Sequence, residues 1–270
     1  AVIWFLGHSG WAIKTKNHFL VIDYWPNGAM PSNPGLSNGW IDPAELKGGK
    51  VEVFASHFHQ DHYSPAIFSW KEQIPGATYF LGLRPRDQVP AYEYMEGRME
   101  KRYGDLKLTT IPATDAGVGM VIEVDGLTIF HAGDHTNGKD GMMKAYSDEI
   151  DYLKDKGIRP DICFMGILGC SLGNPPQVRD GVIYALETLN PKVFIPMHAQ
   201  TREIDYRTFI DGIKDRFGSI QMAVPGNRGD HFVYSKGRLT DPRKDWGIGQ
   251  TAEGGKPGKC GDNREACSVR

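Results

Sequence analysis

Within the six positions His57-Phe58-His59-Gln60-Asp61-His62, the chain places four side chains able to ligate a metal ion, although it carries only 9 His in all. The cluster follows the apolar run Val51 to Ala55, so it stands at the end of an expected strand. His57 and His59 are two residues apart. In extended backbone they project to the same side and can share one ion, whereas Asp61 and His62 arrive after the chain bends and can serve a neighbouring ion. Other chemistries lack their patterns: there is no Gly-x-Ser-x-Gly elbow, Walker loop or dinucleotide fingerprint. Cys170, between Gly169 and Ser171, has no local group to activate it as a nucleophile.

The elements that must position this cluster can be read from hydrophobic period. Strands are expected at residues 2–6, 11–15, 19–24, 51–56, 77–81, 107–111, 120–124 and 127–131. Residues 124–127, with Asp125-Gly126 at the centre, should close a hairpin. After a helix starting near Pro65, the second half alternates: helices at 141–156, 176–189 and 204–217, and strands at 162–166, 193–197, 222–224 and 232–234. Residues 26–50 form a long Gly-, Pro- and Asn-rich loop with Trp25 and Trp40 at its ends, a length usually tied to function. One domain over 1–240 with two sheets and helices outside is expected, followed by a polar, Gly-rich extension over 241–270.

Composition narrows the partners. The 31 Lys and Arg nearly balance the 33 Asp and Glu across 270 residues, for a formal net charge of −2, so no basic field favours a polyanion. A small-molecule substrate is expected rather than nucleic acid. Mean hydropathy is −0.41, and no apolar run nears the roughly 18–20 residues of a membrane span, so no membrane partner is expected. The opening Ala1-Val2-Ile3 lacks an initiator Met and a charged leader, which suggests processing or trimming. Cys163 should be a buried thiol, and Cys260 with Cys267 are candidates for a short disulfide. A bonded pair would favour a periplasmic or secreted site and free thiols a cytoplasmic one.

His57-x-His59-x-Asp61-His62 after a hydrophobic strand resembles the signature of the metallo-β-lactamase fold superfamily. Other pieces fall in that family's order. Asp23 ends a strand, Phe130-His131-Ala132-Gly133-Asp134 resembles the strand and turn that present a bridging aspartate, and Ile195-Pro196-Met197-His198 resembles the strand that delivers a last histidine. The opening Leu6-Gly7-His8-Ser9 and residues 161–169 are similar to the branch containing ascorbate-6-phosphate lactonase. The resemblance spans roughly residues 1–235 and implies an α/β fold, the αββα four-layer sandwich.

Carried over by residue, the resemblance implies a first ion held by His57 and His59, a second by Asp61, His62 and His198, and Asp134 between them. Asp23 would orient a histidine. The family's third histidine for the first ion has no counterpart between His62 and His131. Asp115 can take that role with an oxygen, Thr114 can leave the position to water, and His135 is a third choice. One or two divalent ions, Zn or Mn, follow from such donors. The implied activity is hydrolysis of a lactone, ester or phosphoester by solvent acidified to a pKa of about 7. Asp61 would orient the nucleophile, and His8 would contribute to catalysis beside the cleft. The alternatives are a catalytically weakened metal- or ligand-binding module of the same fold and a di-iron redox relative. Homo-oligomers are frequent in this family, although no interface stripe is evident. His131 is expected to be a satisfied core residue, and His18 and His231 to be exposed.

Overall fold

The computed structural model describes residues 1–168, 172–199 and 202–242. Cys170, the Cys260–Cys267 pair and all but the first two residues of the C-terminal extension lie outside them.

Eight strands form one sheet and seven the other. The first runs β1 (Val2–Gly7), β2 (Gly10–Lys14), β3 (His18–Ile22), β4 (Lys50–Ala55), β5 (Thr78–Leu81) and β6 (Glu93–Tyr94), with β14 (His231–Ser235) and β15 (Arg238–Thr240) added beyond β1. The second contains β7 (Glu100–Tyr103), β8 (Leu106–Pro112), β9 (Val118–Val124), β10 (Leu127–His131), β11 (Ile162–Gly166), β12 (Val193–Met197) and β13 (Gln221–Met222). Strands β3 to β6 pair in parallel, as do β10 to β13. Such sheets gather ligand-binding groups at the carboxyl ends of their strands, which is where Asp23, Ser56, Asp134 and His198 stand. The β9–β10 hairpin turns at Asp125 and Gly126, both with positive φ (50° and 76°) as a tight two-residue turn requires.

Period-2 alternation explains the layers. In β3, Leu20 and Ile22 face a core shared with the second sheet, while Phe19 and Val21 face a second core on the opposite side. Helices α1 (Met143–Asp155), α2 (Pro175–Leu189) and α3 (Ile204–Ile213) add apolar stripes to the first core, among them Tyr146, Ile150, Val182, Leu186 and Tyr206. The result is the expected α/β sandwich. Its layer over the first sheet differs from expectation, because the segment Pro65–Glu72 is a 3-10 helix. Ile67 and Trp70, three residues apart, are its buried pair, and a three-residue turn stacks such positions on one face. Tyr79 Oη donates to the Ile67 carbonyl at 3.1 Å, further fixing that face. Two shorter 3-10 helices, Leu36–Asn38 and Pro43–Leu46, break up the long loop after β3.

At the end of the sandwich away from the His57–His62 cluster, His18 is buried, contrary to expectation. Its Nδ1 lies 2.8 Å from Glu52 Oε1 and its Nε2 lies 3.4 Å from Asp105, which Lys50 also pairs at 2.5 Å. Burial pushes the Glu52 carboxyl up to about 7, against the opposing pull of His18. A carboxyl raised from 4.5 keeps its proton in the folded state after the unfolded chain has lost it, so stability falls as pH rises from about 4.5 to 7. Glu52→Gln keeps an acceptor for His18 and removes the buried charge. It should melt several degrees above the parent at pH 8, with the gap closing toward pH 5; a gap independent of pH would contradict this origin.

Candidate metal centre

The segment after β4 is shaped from its first residue. Ser56 is fully buried, with its N–H and Oγ both 2.7 Å from the carboxylate of Asp23, the residue that follows β3. The space around it admits no additional side chains: a Cβ on Gly117 would lie 2.1 Å from the Ser56 carbonyl oxygen and 2.6 Å from His57 Cβ, and Gly117 also has φ +65°. Gly117→Ala should therefore displace the histidine turn and lower metal affinity together with the melting temperature. Full metal affinity in that variant would show the close packing to be dispensable.

From this hub the side chains fan out. His62 Nδ1 lies 2.7 Å from Asp23 Oδ2, and His57 Nδ1 lies 2.9 Å from Ser56 Oγ, which itself reaches Asp23. One carboxylate thus orients His62 directly and His57 through a hydroxyl, leaving both Nε2 atoms aimed at the cleft. His198, on the turn after β12, places Nδ1 3.0 Å from the Leu168 carbonyl and directs its Nε2 inward as well. His8, Asp23 and His198 all have left-handed backbones, with φ of 52°, 47° and 70°. Such conformations are costly for residues other than Gly and concentrate at functional sites. The turns of His8 and His198 brace each other, since the His198 N–H donates to the His8 carbonyl at 3.1 Å.

Asp134 lies between the imidazoles. Its Oδ1 is 3.1 Å from His62 Nε2 and 3.3 Å from His198 Nε2, and its Oδ2 is 3.3 Å from His57 Nε2. His59 Nδ1 is 2.9 Å from His57 Nε2. On the other side, Asp61 Oδ2 is 3.1 Å from His8 Nε2 and 3.8 Å from His198 Nε2. Two groups of convergent donors result: His57, His59 and Asp134 in one, and His8, Asp61, His62 and His198 in the other. The Nε2 atoms of His62 and His198 and Oδ1 of Asp134 are buried and face one another, at 3.1 and 3.3 Å, without the geometry of a hydrogen bond. Buried polar atoms left without partners are rare and costly. Here three of them converge with only nitrogen and oxygen donors, and this fits a divalent cation.

Charge supports the same fit. Burial alone would raise Asp134, but His62 and His198 hold it well below the ordinary carboxylate range. Asp61 is likewise depressed: burial opposes ionisation, and the bond from His8 with the nearby His62 outweighs it. His8 is pushed down to about 3 by burial and by His198 beside it, and burial lowers His57. The carboxylates are therefore ionised and His8 and His57 neutral, the forms that ligate cations, whereas at His62 burial is outweighed by Asp134 and Asp23, which hold it well above the usual histidine range, so a cation bound there would displace a proton.

Of the residues singled out from the sequence, His8, His57, His59, Asp61, His62, Asp134 and His198 come together in this cleft, and the others are placed differently. Asp115 stands 3.6 Å from His59 Nδ1, on the open side and outside the three-residue group. Thr114 is committed elsewhere, its Oγ donating to the Thr136 carbonyl at 2.7 Å. His135 is buried against Tyr146 with Nε2 3.0 Å from that residue's carbonyl, and belongs to neither group. His131 is the satisfied core residue expected, bonded to the Ser9 carbonyl at 3.0 Å and close to Asp23. Sequence reasoning missed Ser56; its signal was a hydroxyl at the strand end, directly before His57 and one strand from an acidic strand end.

This mixed-sheet sandwich with histidines and aspartates at the strand ends defines the class. A profile of the beta-lactamase superfamily domain matches residues 2–198, and the chain belongs to that family. Among curated proteins it is 24% identical to a UPF0173 metal-dependent hydrolase of Bacillus velezensis, over 80% of this chain and 94% of that protein. It is 27% identical to a UPF0173 metal-dependent hydrolase of Staphylothermus marinus, over 74% and 84%. Among solved structures, the fold is similar to Igni18, a metallo hydrolase of Ignicoccus hospitalis, at 18% identity and a TM-score of 0.57, covering 87% of this chain and 99% of that one. It is also similar to CmlA, a diiron beta-hydroxylase of Streptomyces venezuelae, at 13% identity and 0.58, covering 89% and 54%. Among the described residues no helix is long and apolar enough to cross a membrane.

Proposed function

We propose that this protein is a metal-dependent hydrolase of a small molecule bearing a carbonyl or phosphoryl centre, such as a lactone, ester or phosphoester. The observation that carries this reading is the convergence of His62 Nε2, His198 Nε2 and Asp134 Oδ1, buried and without hydrogen-bond partners. The UPF0173 relatives named as metal-dependent hydrolases support it. The likeness of the opening motif to the ascorbate-6-phosphate lactonase branch makes a lactone or phosphorylated substrate the first to test.

In this assignment His57, His59 and Asp134, with Asp115 alongside, would hold one divalent ion, and His62, His198 and Asp61, which Asp134 also faces, would hold a second. Zn or Mn suits imidazole and carboxylate donors. When bound, the ions supply Lewis acidity for water activation and for charge developing on the substrate oxygen. The remaining chemistry belongs to the chain. Asp23 and Ser56 fix the orientation of His62 and His57. Asp61 Oδ2, at the open edge, would orient water and help shuttle its proton. His8 Nε2 donates to that same oxygen and holds it in place. A domain boundary near residue 240 fits β15 being the last strand among the described residues.

The test is a metal analysis paired with a panel of lactone, ester and phosphodiester substrates. Up to two ions per chain and turnover of one class are expected, whereas metal-replete protein inert toward every class would favour the binding-module alternative. His8→Ala should lower kcat by about 10²-fold while metal content is retained. Loss of the ions in that variant would make His8 a ligand instead.

A further inference from the structure

The two tryptophans bounding the long loop after β3 are used differently. Trp40 is buried, with the Arg228 guanidinium 4.8 Å from its ring centre. Trp25 is only half-buried and stands edge-on to His8, with ring centres 5.5 Å apart at 72°. Arg228 fastens the loop that carries it, donating from Nη1 to the Asn27 carbonyl at 2.7 Å and from Nη2 to the carbonyls of Trp25 at 3.1 Å and Gly39 at 3.2 Å. The attachment is close enough that a Cβ on Gly39 would lie 2.5 Å from Arg228 Cβ. At the other side of the cleft Phe58, 63% exposed between two candidate ligands, sets its ring 4.7 Å from that of His59. Each donor group therefore has an aromatic ring against one of its histidines, and the ring beside His8 is the one with a dedicated support.

We infer that the Trp25 indole is the wall against which an apolar or ring-bearing part of the substrate packs, and that Arg228 is the positioning residue that holds it there. This rests on the hydrolase reading above for the word substrate, and it narrows the class to small molecules with such a group beside the scissile bond. Large aromatic surface held in place before binding gives affinity at little ordering cost. An arginine suits the support because its planar fork satisfies three carbonyls at once, which a lysine cannot.

The test compares binding of phenylacetate and acetate, which differ only in the ring, to the protein dialysed against ZnCl2. The wild type should bind phenylacetate about tenfold more tightly. That ratio should fall toward one in Trp25→Ala and largely survive in Trp25→Phe. In protein labelled with 5-fluorotryptophan, the Trp25 resonance, assigned through Trp25→Phe, should shift and broaden in Arg228→Gln and the phenylacetate preference should fall with it. An unchanged ratio in Trp25→Ala, or an unmoved Trp25 resonance in Arg228→Gln, would overturn the inference. Neither measurement needs turnover. A protein inert toward every ester but showing the ring preference would sink the hydrolase reading alone, and an active enzyme with no ring preference would sink this one alone.

Discussion

Asp134→Asn is expected to abolish turnover, lowering kcat/KM by at least about 10³-fold, or ~4 kcal/mol of transition-state stabilisation. Asp134 touches imidazoles of both donor groups on their cleft-facing nitrogens, through Oδ1 to His62 and His198 and through Oδ2 to His57. An amide of the same shape removes the negative charge and one acceptor, so neither ion retains its shared ligand. Metal content should fall at both positions. The increase in melting temperature that added Zn or Mn gives the wild type should disappear, since a ligand stabilises only the state that binds it. Retention of two ions per chain in Asp134→Asn would show that the aspartate is not shared. Retained activity would place the chemistry elsewhere.

Asp23→Asn should have the second largest effect, and of a different kind. Asp23 is fully buried and accepts three bonds, each at 2.7 Å: from Ser56 N–H, Ser56 Oγ and His62 Nδ1. Burial would raise its pKa, yet the imidazoles of His62 and His131 hold it below the ordinary range. An asparagine has only one acceptor oxygen, and its NH2 must then face a donor. Loss of this hub should cost about 3 kcal/mol of stability, lowering the melting temperature by roughly 6–12 °C. It should also weaken metal binding by ~10–100-fold by freeing the rings of His57 and His62 to turn. Ser56→Ala separates the two routes: affinity at the His57 group should suffer while the His62 group, bonded to Asp23 directly, is spared. Equal loss at both groups in Ser56→Ala would contradict the two-branch arrangement.

The legible parts of the sequence were those where side-chain pattern and backbone state coincide. Continuous apolar runs fully covered on both faces gave β11 and β12 their bounds, and Asp125-Gly126 marked the hairpin because few other pairs accept two positive φ values. The cluster at His57 to His62 was legible because four donors in six positions have few other uses. The edges were harder. β6 has two residues, too short for any period to register, and β13, expected at 222–224, is confined to Gln221–Met222. The 3-10 geometry of Pro65–Glu72 differs from an α-helix by a fraction of a residue per turn, and it was decided by what Ile67 and Trp70 had to cover on the first sheet. His18 was expected at the surface because a histidine beside a turn gives no local sign of burial; its partners Glu52 and Asp105 come from β4 and the β7–β8 turn. Asp134 and His198 could be placed at the site only through family resemblance, since nothing local in Gly133-Asp134 or Met197-His198 reveals that two parallel strands in the second sheet end beside β4.

The central claim is that strand ends from both sheets converge to hold divalent cations. It is tested most directly by anomalous scattering from crystals soaked in Zn or Mn. The account predicts peaks about 2.0–2.2 Å from the donor atoms of His57, His59 and Asp134 and from those of Asp61, His62 and His198. A folded crystal whose anomalous peaks fall only outside this cleft, or nowhere, would contradict it.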